Sequence, residues 1–254
     1  MKKNNNILAA DRRVSFPVFL FALSCVLYLM LSCRTIAAKP ASPLPESIQE
    51  ISPPLTVVSN ELREKVLVSA KSLVGIKYNT QGVVVNGKSF TIDCIGTLRA
   101  AFWGAGIDIA QDFYKYTGNG VSCLYYSLKD GDALKAGTVP SEGDVVFWDN
   151  TWDRNGDGVF GNDPLTHAGL IVQVDADGTC YYLHASVHAG VTIERMNLKS
   201  PSVWKDAEGK VLNSGLYLGS YYGNPKNPPK WTAGELFRAF GDSEKIIAKY
   251  QVRL

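Results

Sequence analysis

The sequence is short of several features that mark whole classes of protein. Its 254 residues include only five cysteines and three histidines, and no C-x-x-C pair is present, so the commonest signature of structural zinc is missing. The 12 prolines and 23 glycines are too few and too scattered for a fibrous or low-complexity chain, and no internal repeat occurs. The sequence therefore predicts a globular protein with one core of about 200 residues and a leader.

An excess of positive charge is also missing from most of the chain. The formal net charge is +2, but residues 1–33 hold four of the 26 basic side chains and one of the 24 acidic ones, which leaves 22 basic and 23 acidic groups beyond them. Contacts with phosphate dominate the affinity of proteins for nucleic acids. We therefore expect no nucleic-acid partner, and small molecules or neutral polymers instead.

A long uncharged apolar run lies near the N-terminus, at 14–32, directly after Arg12-Arg13. This order of basic and apolar regions is typical of an export signal. Three endings stay open: lipidation of the cysteine in the lipobox-like Met30-Leu31-Ser32-Cys33, cleavage near Ala37, or an uncleaved membrane anchor. All three export the rest of the chain, so we expect a cell-envelope protein held at the membrane, and of the three we favour the lipoprotein.

The composition changes after this leader, which we place at 1–33. Residues 34–58 are rich in proline, serine and alanine, which favour an extended chain, and they predict a linker. The folded domain is predicted at 59–254, with a core at 60–200 and a C-terminal extension at 201–254. The sequence leaves the role of that extension open.

Helical patterns come first in this domain, and strand patterns follow. An apolar face made of Leu62, Val66, Leu67, Ala70, Leu73 and Val74 predicts a helix from Ser59 to Gly75, and Asp93 is the predicted N-cap of a second helix that ends near Gly104. Four short β-branched or aromatic segments predict strands at 145–148, 167–174, 181–186 and 190–195, and Asp175-Ala176-Asp177-Gly178 is the strongest hairpin signal. Helices followed by antiparallel strands indicate an α+β fold.

Of the three cysteines beyond the leader, Cys94 has a chemical setting. It follows Asp93 at a predicted helix start, where unpaired backbone N–H groups and the helix dipole favour a thiolate and can hold an oxyanion. The alternative is a buried structural thiol. Whether the other two, Cys123 and Cys180, form a disulfide stays open, since an exported protein permits one.

All three histidines fall between residues 167 and 188, on or beside two neighbouring predicted strands. A hairpin turn between those strands brings His167 and His184 close together on one face of the sheet. A cysteine nucleophile needs a base, and the base needs a third group that orients its ring. Cys94, His167 and His184 supply one candidate for each role, whereas we expect His188 to be an ordinary core or surface residue.

Five short motifs carry a family resemblance when they are taken in order. They are Gly75-Ile76-Lys77-Tyr78, Asp93-Cys94-Ile95-Gly96, Gly143-Asp144-Val145-Val146-Phe147, His167-Ala168-Gly169-Leu170-Ile171-Val172 and Leu183-His184-Ala185-Ser186. Across residues 60–200 the chain resembles the NlpC-type cell-wall peptidases, which are papain-like cysteine peptidases of bacteria. The resemblance implies a papain-like α+β fold, in which the nucleophile helix packs on an antiparallel β-sheet.

The same resemblance implies roles for five residues. Cys94 would be the nucleophile, His167 the general base and later the acid, and His184 the group that orients that imidazole. Tyr78 would lie near the substrate, and Asp93 would receive the free amino group of a peptidoglycan stem peptide. The implied reaction is hydrolysis of the amide bond between D-glutamate and a diamino acid, and it requires no cofactor.

The chain also departs from the family pattern. Ile95 stands where the family usually has serine, and residues 79–89 form an insertion-like segment. Two other functions therefore stay open. One is a CHAP-like N-acetylmuramoyl amidase, and the other is a non-catalytic wall-binding lipoprotein with a relict site.

A further motif lies directly before His167. Asp153-Arg154-Asn155-Gly156-Asp157-Gly158 repeats the start of a calcium-binding loop. The candidate ligands are Asp153, Asn155, Asp157, the carbonyl of Val159, and Asp163, which falls one position early because Pro164 occupies the place of the usual glutamate. A structural calcium that fixes the loop before His167 and an ion-free turn rich in Asp and Asn are both open.

Overall fold

The computed structural model describes residues 55–218 and 231–251. The leader predicted at 1–33 and all but the last residues of the predicted linker lie outside these ranges. Within them, no helix is both long and apolar enough to cross a lipid bilayer.

The described chain alternates short helices and strands before it enters a run of strands. The elements are α1 (Leu55–Ser72), β1 (Val83–Val85), β2 (Lys88–Phe90), α2 (Cys94–Gly104), α3 (Gly120–Asp130), β3 (Val145–Trp148), β4 (His167–Val174), β5 (Cys180–Ser186), β6 (Gly190–Met196), β7 (Phe237–Gly241) and α4 (Ser243–Tyr250). Five strands form one antiparallel sheet in the order β6-β5-β4-β3-β7. Helices beside an antiparallel sheet confirm the α+β prediction.

Strand β3 is buried at all four positions because both faces of the sheet are covered. Val145 and Phe147 point into the core that all four helices share. Val146 and Trp148 point the opposite way, into a second apolar cluster that includes Phe240 of β7. The predicted C-terminal extension thus supplies an edge strand of the sheet, which makes it part of the domain's packing.

Helix α2 positions Cys94 because its start is fixed by two neighbouring residues. The Oδ1 atom of Asp93 accepts the N–H of Gly96 at 2.6 Å, which is the predicted N-cap. Gly96 itself has no room for a side chain, since a Cβ there would stand 1.8 Å from the carbonyl oxygen of Thr91. Further along α2, Leu98 and Phe102 are almost fully buried and hold the helix against the sheet core.

The predicted element bounds agree with the structure to within a few residues. The predicted helix at 59–75 is α1, which begins earlier, at Leu55, and ends at Ser72. Val66, Leu67, Ala70 and Leu73 of its predicted apolar face are buried, whereas Leu62 is partly buried and Val74 is 47% exposed. Strands β3 and β4 have the predicted bounds, whereas β5 and β6 are each one residue longer. The predicted hairpin turn joins β4 to β5, with Gly178 at a φ of 90°.

Asp144, in the Gly-Asp motif, has a structural role. Its side chain is completely buried, and its carboxylate lies 2.7 Å from the ammonium of Lys135. It also accepts the backbone N–H of Ser141 and of Ser243, at 2.7 and 3.0 Å. Asp144 therefore ties the start of β3 to the start of α4.

Candidate active site

Cys94 is the first residue of α2 and is half-buried in the wall of a cleft. Its sulfur faces the backbone N–H groups of Ile95 and Ala168, as well as its own. Ala168 directly follows His167 on β4, so the start of the helix meets the start of that strand. The sequence prediction that Cys94 and His167 share a site agrees with this placement.

The two predicted histidines are joined by a hydrogen bond. Nε2 of His167 lies 2.8 Å from Nδ1 of His184, and the two rings are nearly perpendicular. The ring of His167 also contacts Trp148, and the ring of His184, which is 2% exposed, contacts Tyr182. Because Nε2 of His167 is engaged with His184, its Nδ1 is the nitrogen left to take a proton from a thiol.

The pKa shifts of Cys94 and His167 do not favour a thiolate–imidazolium ion pair. Burial, and then the negative charge of Asp93, raise the pKa of the Cys94 thiol to about 12, although the backbone N–H groups act in the opposite direction. Burial and the neighbouring His184 lower the pKa of His167 well below its ordinary value. Both shifts favour the uncharged forms, a thiol and an imidazole, and so act against the thiolate that the helix start favours.

Tyr78 and Asp93, the two predicted substrate-binding residues, both line the cleft beside Cys94. Burial is the main cause that raises the pKa of Tyr78, and electrostatic interactions with the neighbouring Cys94 and Asp93 raise it further. The Asp93 carboxylate therefore has two roles. It caps α2, and it places a negative charge in the wall of the cleft.

The cleft is open to solvent and has a volume of about 760 Å³. Asp93 is the only carboxylate, and Arg99 the only Lys or Arg side chain, among the described residues that line it. The Nε atom of Arg99 is buried without a hydrogen-bond partner in the described part of the chain. Ile95 presents an apolar side chain where the family resemblance predicts serine, and Trp152, which is 39% exposed, stands at the rim.

The Asp-rich loop lies on the surface between β3 and β4. Asp153 accepts the N–H groups of Gly156 and Gly158, and Asp157 accepts that of Val159 at 2.8 Å. Asp163 accepts the N–H of Asn155 at 3.1 Å. Among residues 55–218 and 231–251, no group of three or more His, Cys, Asp or Glu side chains converges in a geometry that holds a metal. Calcium binding at this loop stays a prediction.

The remaining predicted residues lie outside the cleft. Cys123 on α3 and Cys180 on β5 are both buried and both free, so they do not form a disulfide. Their sulfur atoms approach different backbone carbonyls, those of Tyr116 and Met196. His188 is exposed in the turn between β5 and β6.

Sequence reasoning missed Glu194, which lies behind the histidine pair. Its Oε2 atom stands 3.5 Å from Nε2 of His184 and accepts the hydroxyl of Tyr182 at 3.1 Å. Glu194 is paired with Tyr182 across β5 and β6. Glu194 lies on the strand predicted at 190–195, but its role follows only from the register between that strand and β5.

Comparison with known proteins adds a distant structural likeness. No family model matches the sequence, and no curated protein matches it. Among solved structures, the chain is similar to the crystal structure of a P60 domain from an antigen of M. avium paratuberculosis, with a TM-score of 0.31 and 12% sequence identity. The match covers 54% of this chain and 86% of that domain.

Proposed function

We propose that this protein is an exported cysteine peptidase that hydrolyses an amide bond in peptidoglycan stem peptides. The observation that carries the proposal is the hydrogen-bonded pair of His167 and His184 in the wall of the cleft that also holds Cys94. A nucleophile, a base and an orienting group in one open cleft are what acyl transfer through a thiol requires. We propose the bond between D-glutamate and the diamino acid as the one that is cut.

The proposed reaction begins from a neutral thiol and a neutral imidazole. As the Cys94 sulfur attacks the carbonyl carbon, His167 accepts the thiol proton, and backbone N–H groups at the start of α2 hold the oxyanion. His167 then gives the proton to the leaving amine, which breaks the C–N bond and leaves a thioester. Water hydrolyses the thioester, with His167 again acting as the base.

The charges in the cleft support a peptide substrate that carries both signs. Asp93 can pair with the free amino group of a stem peptide, and the guanidinium of Arg99 can pair with one of its carboxylates. Both groups line the cleft that holds Cys94. A neutral amide substrate would form an ion pair with neither group.

The test is mass spectrometry of defined muropeptides after incubation with the purified protein. Wild-type protein should release a shortened stem, and Cys94→Ala should release none. The matched control is Cys123→Ala, because this change removes a free, buried thiol outside the cleft. A free sugar-lactyl product would instead show a CHAP-like amidase, and binding without any product would show a non-catalytic wall-binding protein.

We propose also that the leader ends in lipidation at Cys33, which places the domain at the cell envelope. The supporting observation is the order of Arg12-Arg13, the apolar run at 14–32 and the lipobox-like sequence. Metabolic labelling with a radioactive fatty acid tests this proposal. Cys33→Ala should abolish the label, and Cys25→Ala, inside the apolar run, should keep it.

A further inference from the structure

The proposed triad leaves one buried polar atom unexplained. Nε2 of His184 makes no hydrogen bond within the described residues, although the side chain is 2% exposed. The Glu194 carboxylate is the acceptor that it faces, at 3.5 Å. A buried ring nitrogen is costly when it has no partner, so the chemistry of this contact matters.

A chain of two imidazoles has two possible arrangements of protons. If His184 carries its proton on Nε2, its Nδ1 lone pair accepts the N–H from Nε2 of His167, and Nδ1 of His167 is free to accept a proton. If His184 carries its proton on Nδ1, that N–H donates to His167, whose own proton must then sit on the nitrogen meant for the thiol. Only the first arrangement lets His167 act as a base toward Cys94.

The Glu194 carboxylate stabilises the first arrangement of protons relative to the second. An N–H on Nε2 of His184 points its positive end at the carboxylate, whereas a lone pair at that position is repelled by it. Tyr182 donates its hydroxyl to the same carboxylate oxygen at 3.1 Å, which helps to fix the carboxylate beside the ring. The Glu194 side chain is 20% exposed, so the interaction is only partly screened by water.

We propose that Glu194 is a positioning residue that sets the tautomers of both histidines and thereby makes His167 a base. This inference rests on the proposed function, because it assigns a purpose to the orientation of His167. The titratable groups of this cluster, the two histidines included, come from four elements. They are Cys94 and its neighbour Asp93 at α2, His167 on β4, Tyr182 and His184 on β5, and Glu194 on β6.

The experiment compares wild-type protein with Glu194→Gln in two measurements. The amide of glutamine can donate to Nε2 of His184, so it favours the unproductive arrangement while keeping the shape of the side chain. We expect kcat on a stem peptide to fall at least about tenfold with little change in KM, as expected when a base is held in the wrong tautomer. Glu194→Asp keeps the charge and should recover part of the rate.

The second measurement needs no substrate. In protein labelled with ¹⁵N-histidine, ¹⁵N chemical shifts should place the protons of both histidines on Nε2 in the wild type, and Glu194→Gln should move them toward Nδ1. The matched control is Glu208→Gln, because Glu208 is exposed and lies outside the cleft. Unchanged tautomers in a folded Glu194→Gln variant would overturn the inference. If wild-type protein cuts no peptide, the proposed function fails, but the ¹⁵N shifts still decide the role of Glu194.

Discussion

The cleft and the Asp-rich loop are both polar clusters that a sequence motif points to, and the structure treats them differently. In the loop, the carboxylates of Asp153, Asp157 and Asp163 accept hydrogen bonds from backbone N–H groups of the loop itself. In the cleft, Cys94 and Arg99 line a solvent-open space, and Nε of Arg99 and Nε2 of His184 are buried without a hydrogen bond within the described residues. Polar groups that the fold leaves unsatisfied point to chemistry, whereas satisfied ones point to local structure.

The largest expected difference between these regions is in activity. His167→Ala removes the proposed base, and we expect the rate of stem-peptide cleavage to fall about 10³-fold. Asp153→Ala, in the loop, should leave the rate within about twofold of the wild type. Steady-state kinetics on one defined muropeptide measures both variants. A loop variant that loses as much activity as the His167 variant would contradict the division between the two regions.

Replacing one glycine in each region should lower the free energy of unfolding by different amounts. Gly96→Ala places a Cβ against the carbonyl oxygen of Thr91, and the resulting movement of α2 should lower the free energy of unfolding by about 3 kcal/mol. Gly158 has a φ of 73° but no atom within 4 Å of a Cβ, so Gly158→Ala should cost only about 1 kcal/mol. Urea unfolding of both variants measures these costs. Equal costs would show that α2 can move away from Thr91 without penalty.

The cleft and the loop should lose stability over different ranges of pH. The folded pKa of His167 lies below the ordinary 6.5, so the unfolded chain takes up this proton first, and stability should fall as the pH drops below 6.5. The pKa of Asp157 is lowered from 3.8 by its bonds to Val159 and Asn162, so its contribution is lost only at lower pH. Urea unfolding at a series of pH values should show a flatter curve between pH 6.5 and 5 for His167→Gln. Asp157→Asn should leave that interval unchanged.

Local patterns in the sequence were sufficient for most of the sheet and for the proximity of His167 and His184. Their β-branched or aromatic residues and a turn signal predicted β4 and β5, and this hairpin brings His167 to His184. Glu194 was missed because its role depends on strand register. Strand β7 was missed because it pairs with β3, about ninety residues earlier in the chain.

Helices α3 and α4 and the β1–β2 hairpin were also missed. Helix α4 has only eight residues, and its start depends on the Asp242 side chain, which accepts the N–H groups of Glu244 and Lys245. The predicted insertion at 79–89 contains most of the β1–β2 hairpin, whose turn is Asn86-Gly87. That pair is a strong hairpin signal, so this element was predictable.

The smallest expected effect concerns calcium at the loop. A calcium ion needs six to eight oxygen ligands, and in this structure the carboxylates of the loop already accept backbone N–H groups. These bonds occupy part of the acceptor capacity of the carboxylates and hold them toward the backbone, so we expect calcium or a chelator to shift the melting temperature by less than about 1 °C. Thermal unfolding with calcium and with chelator, repeated with Asp153→Asn, measures the shift. A large stabilisation by calcium that Asp153→Asn abolishes would show that the loop is a rearranging ion site, and the contrast between a self-satisfied loop and an unsatisfied cleft would then fail.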